Sequence, residues 1–205
     1  MKISTKIRIF FLLIFIGCDP VFRDIQFPDP KTSPYVLPFP VGETHDIFQS
    51  YNNKQGHKNR LAYDFSMPLG SPITASRGGI VIAIENNYKD SDRKPGHNNR
   101  VVIQHSDSTL AWYAHLQKGS VTVTRHDTVK IGQLLGLCGL SGRSGGVPHL
   151  HFEVFRSLLY HYGDALPVSF RNLSGLADSI GMLLRGRKYT SLPFDDELII
   201  ESELK

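Results

Sequence analysis

The sequence predicts an all-β fold, an antiparallel barrel or sandwich, on three observations. Short runs rich in Val, Ile and aromatic residues recur between about residues 41 and 171, Gly, Pro, Asn and Asp separate them, and the clearest runs alternate apolar with polar residues. With 205 residues, 40% of them hydrophobic, the chain can build one domain of ordinary size with a real core and tails.

The elements follow in order. Lys2, Lys6 and Arg8 precede the unbroken apolar run Ile9 to Ile16, and Gly17-Cys18 come next. That order is a secretion signal, and the run of eight apolar residues is too short for a membrane span, which takes roughly 20. Its end, "IFIGC", resembles the lipobox of bacterial lipoproteins, which implies acylation of Cys18; the alternative is ordinary secretion with an incidental cysteine. With Cys18 acylated, Cys138 is the remaining thiol, and it reads as a small core hydrophobe.

Removing residues 1 to 17 takes three of the 23 basic side chains and no acidic one, leaving 20 against 19, so the formal charge falls from +4 to +1. A balance so near neutral argues against nucleic acid as a partner. Residues 19 to 40 hold six of the 12 prolines, which excludes helix and central strand and predicts an extended tether.

The domain proper spans 41 to 171. Its strand runs are "GGIVIAIEN" (78 to 86), "RVVIQHS" (100 to 106), "LAWYAHL" (110 to 116), "SVTVTR" (120 to 125), "GQLLGLCGL" (132 to 140) and "HLHFEVF" (149 to 155). Residues 172 to 205 form a C-terminal extension, in which 173 to 187 would place Leu176, Ile180, Leu183 and Leu184 on one helical face with Ser174 as cap. Gly181 weakens that helix, and the acidic end "DDELIIESELK" reads as a solvated tail or short terminal element.

On a strand, residues two apart share a face, so His149, His151 and Glu153 project together while Leu150, Phe152 and Val154 enter the core. Such spacing suits a metal ligand beside a second functional histidine, or two strand histidines that merely face solvent, and the rest of the chain decides between them; Glu153 is either a partner of the ligand or a solvated strand position. Asp64 sits in another alternating run, opposite in direction to Tyr63 and Phe65, and His57 lies seven residues before it. His57, Asp64 and His151 make an N/O/N set of the kind that catalytic zinc takes with water in a fourth position. In "LAWYAHL", alternation puts Tyr113 and His115 on one face and Trp112, Ala114 and Leu116 on the other, and a histidine off the metal is free for acid–base work.

His97, His105, His126 and His161 read as turn or surface positions, with His97 at the border of a cleft. "GLSGRSGGVP" (139 to 148), directly before His149, offers the backbone freedom either of a loop walling a substrate groove or of a mobile surface turn.

The ordered series "HKNRLAYDFSMPLGSPITA", "RVVIQHSDSTLAWYAHL", "DTVKIGQLLGLCGLSGRSGG" and "PHLHFEV" resembles the lysostaphin-type, LytM-like zinc endopeptidases that cut peptide cross-bridges of bacterial peptidoglycan. The resemblance covers roughly 41 to 171. It implies the antiparallel β barrel or sandwich of that family, the duplicated hybrid motif, with few short helices. By position it makes His57, Asp64 and His151 ligands of one Zn2+, and His115 and His149 the catalytic histidines. Six residues separate His57 from Asp64 where many relatives have three, with His45 the substitute ligand, although a subset with the aspartate in a "YDF" run resembles this longer spacing.

The expected function is therefore hydrolysis of peptidoglycan peptide cross-links in the cell envelope. Expected partners are peptidoglycan, a membrane reached through a lipid at Cys18, and a regulatory protein. Two rivals stand beside it. A catalytically silent wall-binding or hydrolase-activating module would lack site residues, and none is missing. A lipoyl-type carrier, suggested by "DTVKIGQLLG", needs a modifiable lysine at a hairpin tip, and no convincing candidate is seen.

Overall fold

The structure, a computed structural model, describes residues 25–51, 57, 60–156, 164–178 and 181–195. The signal segment, Cys18, His161, Ile180 and the acidic end beyond 195 lie outside the described residues.

Eleven strands run in chain order: β1 (Thr44–Gln49), β2 (Ala62–Ser66), β3 (Pro72–Thr74), β4 (Gly79–Glu85), β5 (Asn99–Gln104), β6 (Leu110–Leu116), β7 (Thr128–Val129), β8 (Leu134–Leu137), β9 (His149–Phe155), β10 (Leu173–Ser174) and β11 (Lys188–Ser191). Nine form one sheet in the order β10-β11-β1-β2-β9-β6-β5-β4-β7, and β3 with β8 forms a second of two strands. Every pairing is antiparallel. The described residues contain no α-helix, only a 3-10 turn at Pro30–Thr32.

β9 lies mid-sheet between β2 and β6, and all seven of its residues are buried. Leu150, Phe152 and Val154 enter the main core with Tyr63, Phe65, Tyr113 and Phe170, as the alternation requires. Cys138 is buried in that core, and burial pushes its thiol up to about 12, so it serves packing and not chemistry.

Three expectations are corrected. The run at 120–125 forms no strand: Thr122 donates its N–H to the Leu135 carbonyl at 3.0 Å and its hydroxyl to Leu134 at 2.8 Å, while Val123 packs into the core. These bonds dock the segment beside β8 without building a ladder.

The proline-rich stretch is not a free tether over its described part. Phe27 stacks on Tyr51 with centroids 5.1 Å apart, the Leu37 N–H donates to Asn172 Oδ1 at 2.8 Å, and Tyr35, Leu37 and Phe39 belong to the core. The prolines keep the segment extended, but the apolar residues between them bury more favourably than they solvate.

The helix expected over 173–187 is absent from its described residues. Gly181 has φ +88°, a left-handed conformation suited to glycine and foreign to a right-handed helix, and Leu176 is 75% exposed. Instead Leu183 and Tyr189 enter the core, and the Tyr189 hydroxyl accepts the Leu184 N–H and donates to the Leu176 carbonyl, both at 2.8 Å. β11 then pairs with β1, so the fold extends past 171 to Ser191.

Candidate active site

Asp64 on β2 is paired in register with His151 on β9, so their side chains leave the same face of the sheet. His151 Nδ1 lies 2.8 Å from Asp64 Oδ1, and His57 Nε2 lies 3.2 Å from Asp64 Oδ2. One ligand atom from each of the three buried residues falls within 4.8 Å of the others. His57 Nδ1 donates to the Ser50 carbonyl at 3.2 Å, which turns its Nε2 toward the carboxylate.

Burial disfavours the charged Asp64 carboxylate, but hydrogen bonds from His151 and His57 outweigh it and hold the carboxyl well below its usual range. Burial likewise opposes a charge on His151, yet hydrogen bonds to Asp64 and Glu153 raise it to about 9. The three donors, two imidazole nitrogens and a carboxylate oxygen, are a set suited to zinc.

Two further imidazoles border the set. His149 Nδ1 donates to the Val147 carbonyl at 2.8 Å, and its Nε2 lies 3.7 Å from Asp64 Oδ1. His115 Nδ1 donates to the Ser141 carbonyl at 2.7 Å. Burial lowers both pKa values, that of His115 to about 3 with the neighbouring His149 and His151 adding to the effect, so both rings are neutral near pH 7.

His115 reaches this position by a route that alternation misses. Tyr113 pairs with Phe152 on the core face, and strict alternation would send His115 there too. The register between β5 and β6 steps from Arg100↔Ala114 to Asn99↔Leu116, a β-bulge whose extra residue is His115, with φ +66°. The bulge sends Ala114 and His115 to the site face, while Tyr113 and Leu116 stay in the core. Tyr113 and His115 therefore occupy opposite faces.

The site opens into a cleft of about 790 Å³ lined by Phe48, Trp112, Arg143, Gly145 and Val147 among others. The glycine-rich loop forms one wall, as expected, and it is braced from behind. Arg93 donates to the Leu140 carbonyl at 2.6 Å and to Ser144 Oγ at 2.9 Å, and Asp90 accepts the Leu140 N–H at 2.9 Å.

The other histidines stand elsewhere. His45 bonds Glu43 at 2.9 Å and packs edge-on against Phe39, so it does not replace His57. His97 pairs with Asp92 and stacks on Tyr88, while Pro95, Gly96 and Asn98 around it line the cleft. His105 Nδ1 donates to the Gly78 carbonyl, and His126 sits in a turn at φ +78°.

Glu153 is not a solvated strand position. It is 1% exposed, its Oε2 lies 3.1 Å from His151 Nε2, and Arg60 forms an ion pair with it. Alternation put Glu153 on the right face, but only the central place of β9 shows that the face is buried. Nothing in the sequence marks Arg60.

The model of Peptidase family M23 matches residues 58–164. Peptidoglycan DD-endopeptidase ShyA of Vibrio cholerae is 40% identical over 122 residues, 57% of this chain and 26% of that protein. The chain thus spans about a quarter of that relative's length. An uncharacterized lipoprotein, YgeR of Escherichia coli, is 27% identical over 122 residues, 56% of this chain and 44% of that protein. Among solved structures, a mutant catalytic domain of the prophage-encoded M23 protein EnpA from Enterococcus faecalis superposes with TM-score 0.50 at 24% identity, over 65% of this chain and 94% of that one, a likeness of fold. The matched stretch carries Asp64, His115, His149 and His151 and begins one residue after His57, and with it covering more than half of the sequence the chain belongs to peptidase family M23.

Proposed function

We propose that this protein is a zinc-dependent endopeptidase that hydrolyses peptide cross-links of bacterial peptidoglycan. The observation that carries the reading is the convergence of His57, Asp64 and His151 within 4.8 Å beside two buried imidazoles fixed to backbone carbonyls. The peptidoglycan DD-endopeptidase ShyA supports the substrate class.

His57 Nε2, an Asp64 oxygen and His151 Nδ1 would hold the ion. Zinc, when bound, supplies Lewis acidity toward the scissile carbonyl and lowers the pKa of water. His115 and His149 bind through Nδ1 to carbonyls, so each presents Nε2 to the cleft, unprotonated and aimed. From there they take a proton from the attacking water, steady the developing oxyanion and return a proton to the leaving amine. The loop of Arg143 to Val147 and the rings of Phe48 and Trp112 wall the substrate and exclude bulk water.

The chain is exported, and Cys18 carries a lipid that fixes it to an envelope membrane. Relatives named as lipoproteins support this placement, and no helix among the described residues is long and apolar enough to cross a membrane. A catalytically silent wall-binding module is the weaker reading, because all five site residues are present and converge.

Incubating zinc-loaded residues 19 to 205 with purified peptidoglycan and reading muropeptides by mass spectrometry tests the proposal. Newly split cross-links, lost in His149→Ala, are the expected result. No release by protein that contains zinc would overturn the enzymatic reading.

A further inference from the structure

We propose that Glu153, clamped by Arg60, is a positioning residue that fixes the tautomer and orientation of His151 as a metal ligand. The inference rests on the metal site proposed above and adds residues that neither the ligand set nor the two cleft histidines include.

The two nitrogens of His151 face two different carboxylates. Nδ1 faces Asp64 within the donor set at 2.8 Å, and Nε2 faces Glu153 Oε2 at 3.1 Å with Arg60 Nη2 also 3.2 Å away, and of these two neighbours only the carboxylate can accept a proton's hydrogen bond. A ligand must offer a bare nitrogen, so the ring proton has to stay on the other one. Glu153 accepts that proton's hydrogen bond at Nε2, leaving the Nδ1 lone pair for the ion and making it more basic.

Glu153 is held to this task from its other side. Arg60 pairs with its Oε2, and Arg60 Nε donates to Oε1 at 3.4 Å. A carboxylate two residues from a ligand on the same strand face is itself a competent zinc donor. The guanidinium engages both oxygens, which keeps Glu153 on the His151 ring as an acceptor and out of the coordination sphere. Its positive charge also offsets the second buried carboxylate, so the set keeps a single net ligand charge from Asp64.

A strand position with no such role would leave this side chain in water at no cost. Burying it at 1% exposure instead needs both partners, and the partners present are the ligand and the clamp.

The test measures zinc affinity by competition with a chromogenic chelator, using residues 19 to 205 as wild type, Glu153→Ala, Glu153→Gln, and Glu153→Met combined with Arg60→Met. The double variant removes the buried pair as a unit, so it keeps the fold measurable if the alanine variant does not fold. Far-UV circular dichroism and thermal midpoints of the zinc-free proteins monitor the fold separately.

Glu153→Ala and the double variant should bind zinc about 10- to 100-fold more weakly. Glu153→Gln should recover part of that loss, because its carbonyl still accepts from Nε2–H. Folded variants that bind zinc as wild type does would overturn the inference and leave the metal site standing. A wild type that takes up no zinc would overturn the metal site, and this inference with it.

Discussion

The rings of His115 and His149 meet edge to face with centroids 4.7 Å apart, each pinned through Nδ1 to a carbonyl of the segment that joins β8 to β9. Neither belongs to the three-residue donor set. His115→Ala and His149→Ala should each lower cross-link cleavage by about 10²- to 10⁴-fold while zinc affinity stays within a few-fold. Muropeptide release and chelator competition, measured on the same samples, separate the two effects. Full activity in either variant would remove that residue from the chemistry.

Removing a ligand should act through the ion. Asp64→Ala should lose zinc on dialysis against a chelator that leaves wild type loaded, because Asp64 joins both histidines of the set. Chelation of the wild type should abolish cleavage, and added zinc should restore it. Metal analysis by mass spectrometry provides the check.

Gly139 sets the distance between the loop and β6. A Cβ there would sit 2.4 Å from the Gln117 backbone nitrogen, and the Gly139 N–H donates to the His115 carbonyl at 2.9 Å. Gly139→Ala must therefore push the loop off the bulge, at a cost of about 1–3 kcal/mol in urea unfolding. Activity should fall further than this destabilisation accounts for, since His115 moves with the loop.

The described residues after 171 pack as part of the fold. Leu183→Ala should destabilise the domain by about 2–5 kcal/mol, the range for a buried leucine truncation. Urea denaturation of the two proteins gives the difference, and a change below about 0.5 kcal/mol, typical of a surface site, would contradict the packing described for Leu183.

Asp107 gives the pH dependence of stability a defined window. Burial raises its pKa, but hydrogen bonds from Thr109 and Arg77 outweigh this and lower it to about 2. Its folded pKa lies below the unfolded value, so its contribution is present above about pH 4 and is lost as pH falls through about 2. Asp107→Leu should thus be less stable than wild type at pH 7, with the gap closing between pH 4 and 2. A gap independent of pH would show that the ion pair contributes nothing.

The sequence carried most of the site because Asp64, His149 and His151 lie on regular strands. Alternation alone separates His149, His151 and Glu153 from Leu150, Phe152 and Val154, and the sheet keeps that separation. It failed at His115, where one extra residue inverts the face and the cause lies in the register of β5 against β6. It also failed where burial depends on distant partners. Tyr35 and Leu37 look like tether residues until Asn172 binds the Leu37 N–H, and Glu153 looks solvated until Arg60 stands beside it.

The docking of Phe27 on Tyr51 shortens the leash between the domain and the lipid proposed at Cys18. Residues 19 to 26 remain, and eight residues reach at most about 30 Å when fully drawn out. An enzyme held on that radius would work a thin shell of wall next to its membrane. New cross-links in that layer would come within its range, while outer strands would escape it until turnover brought them near.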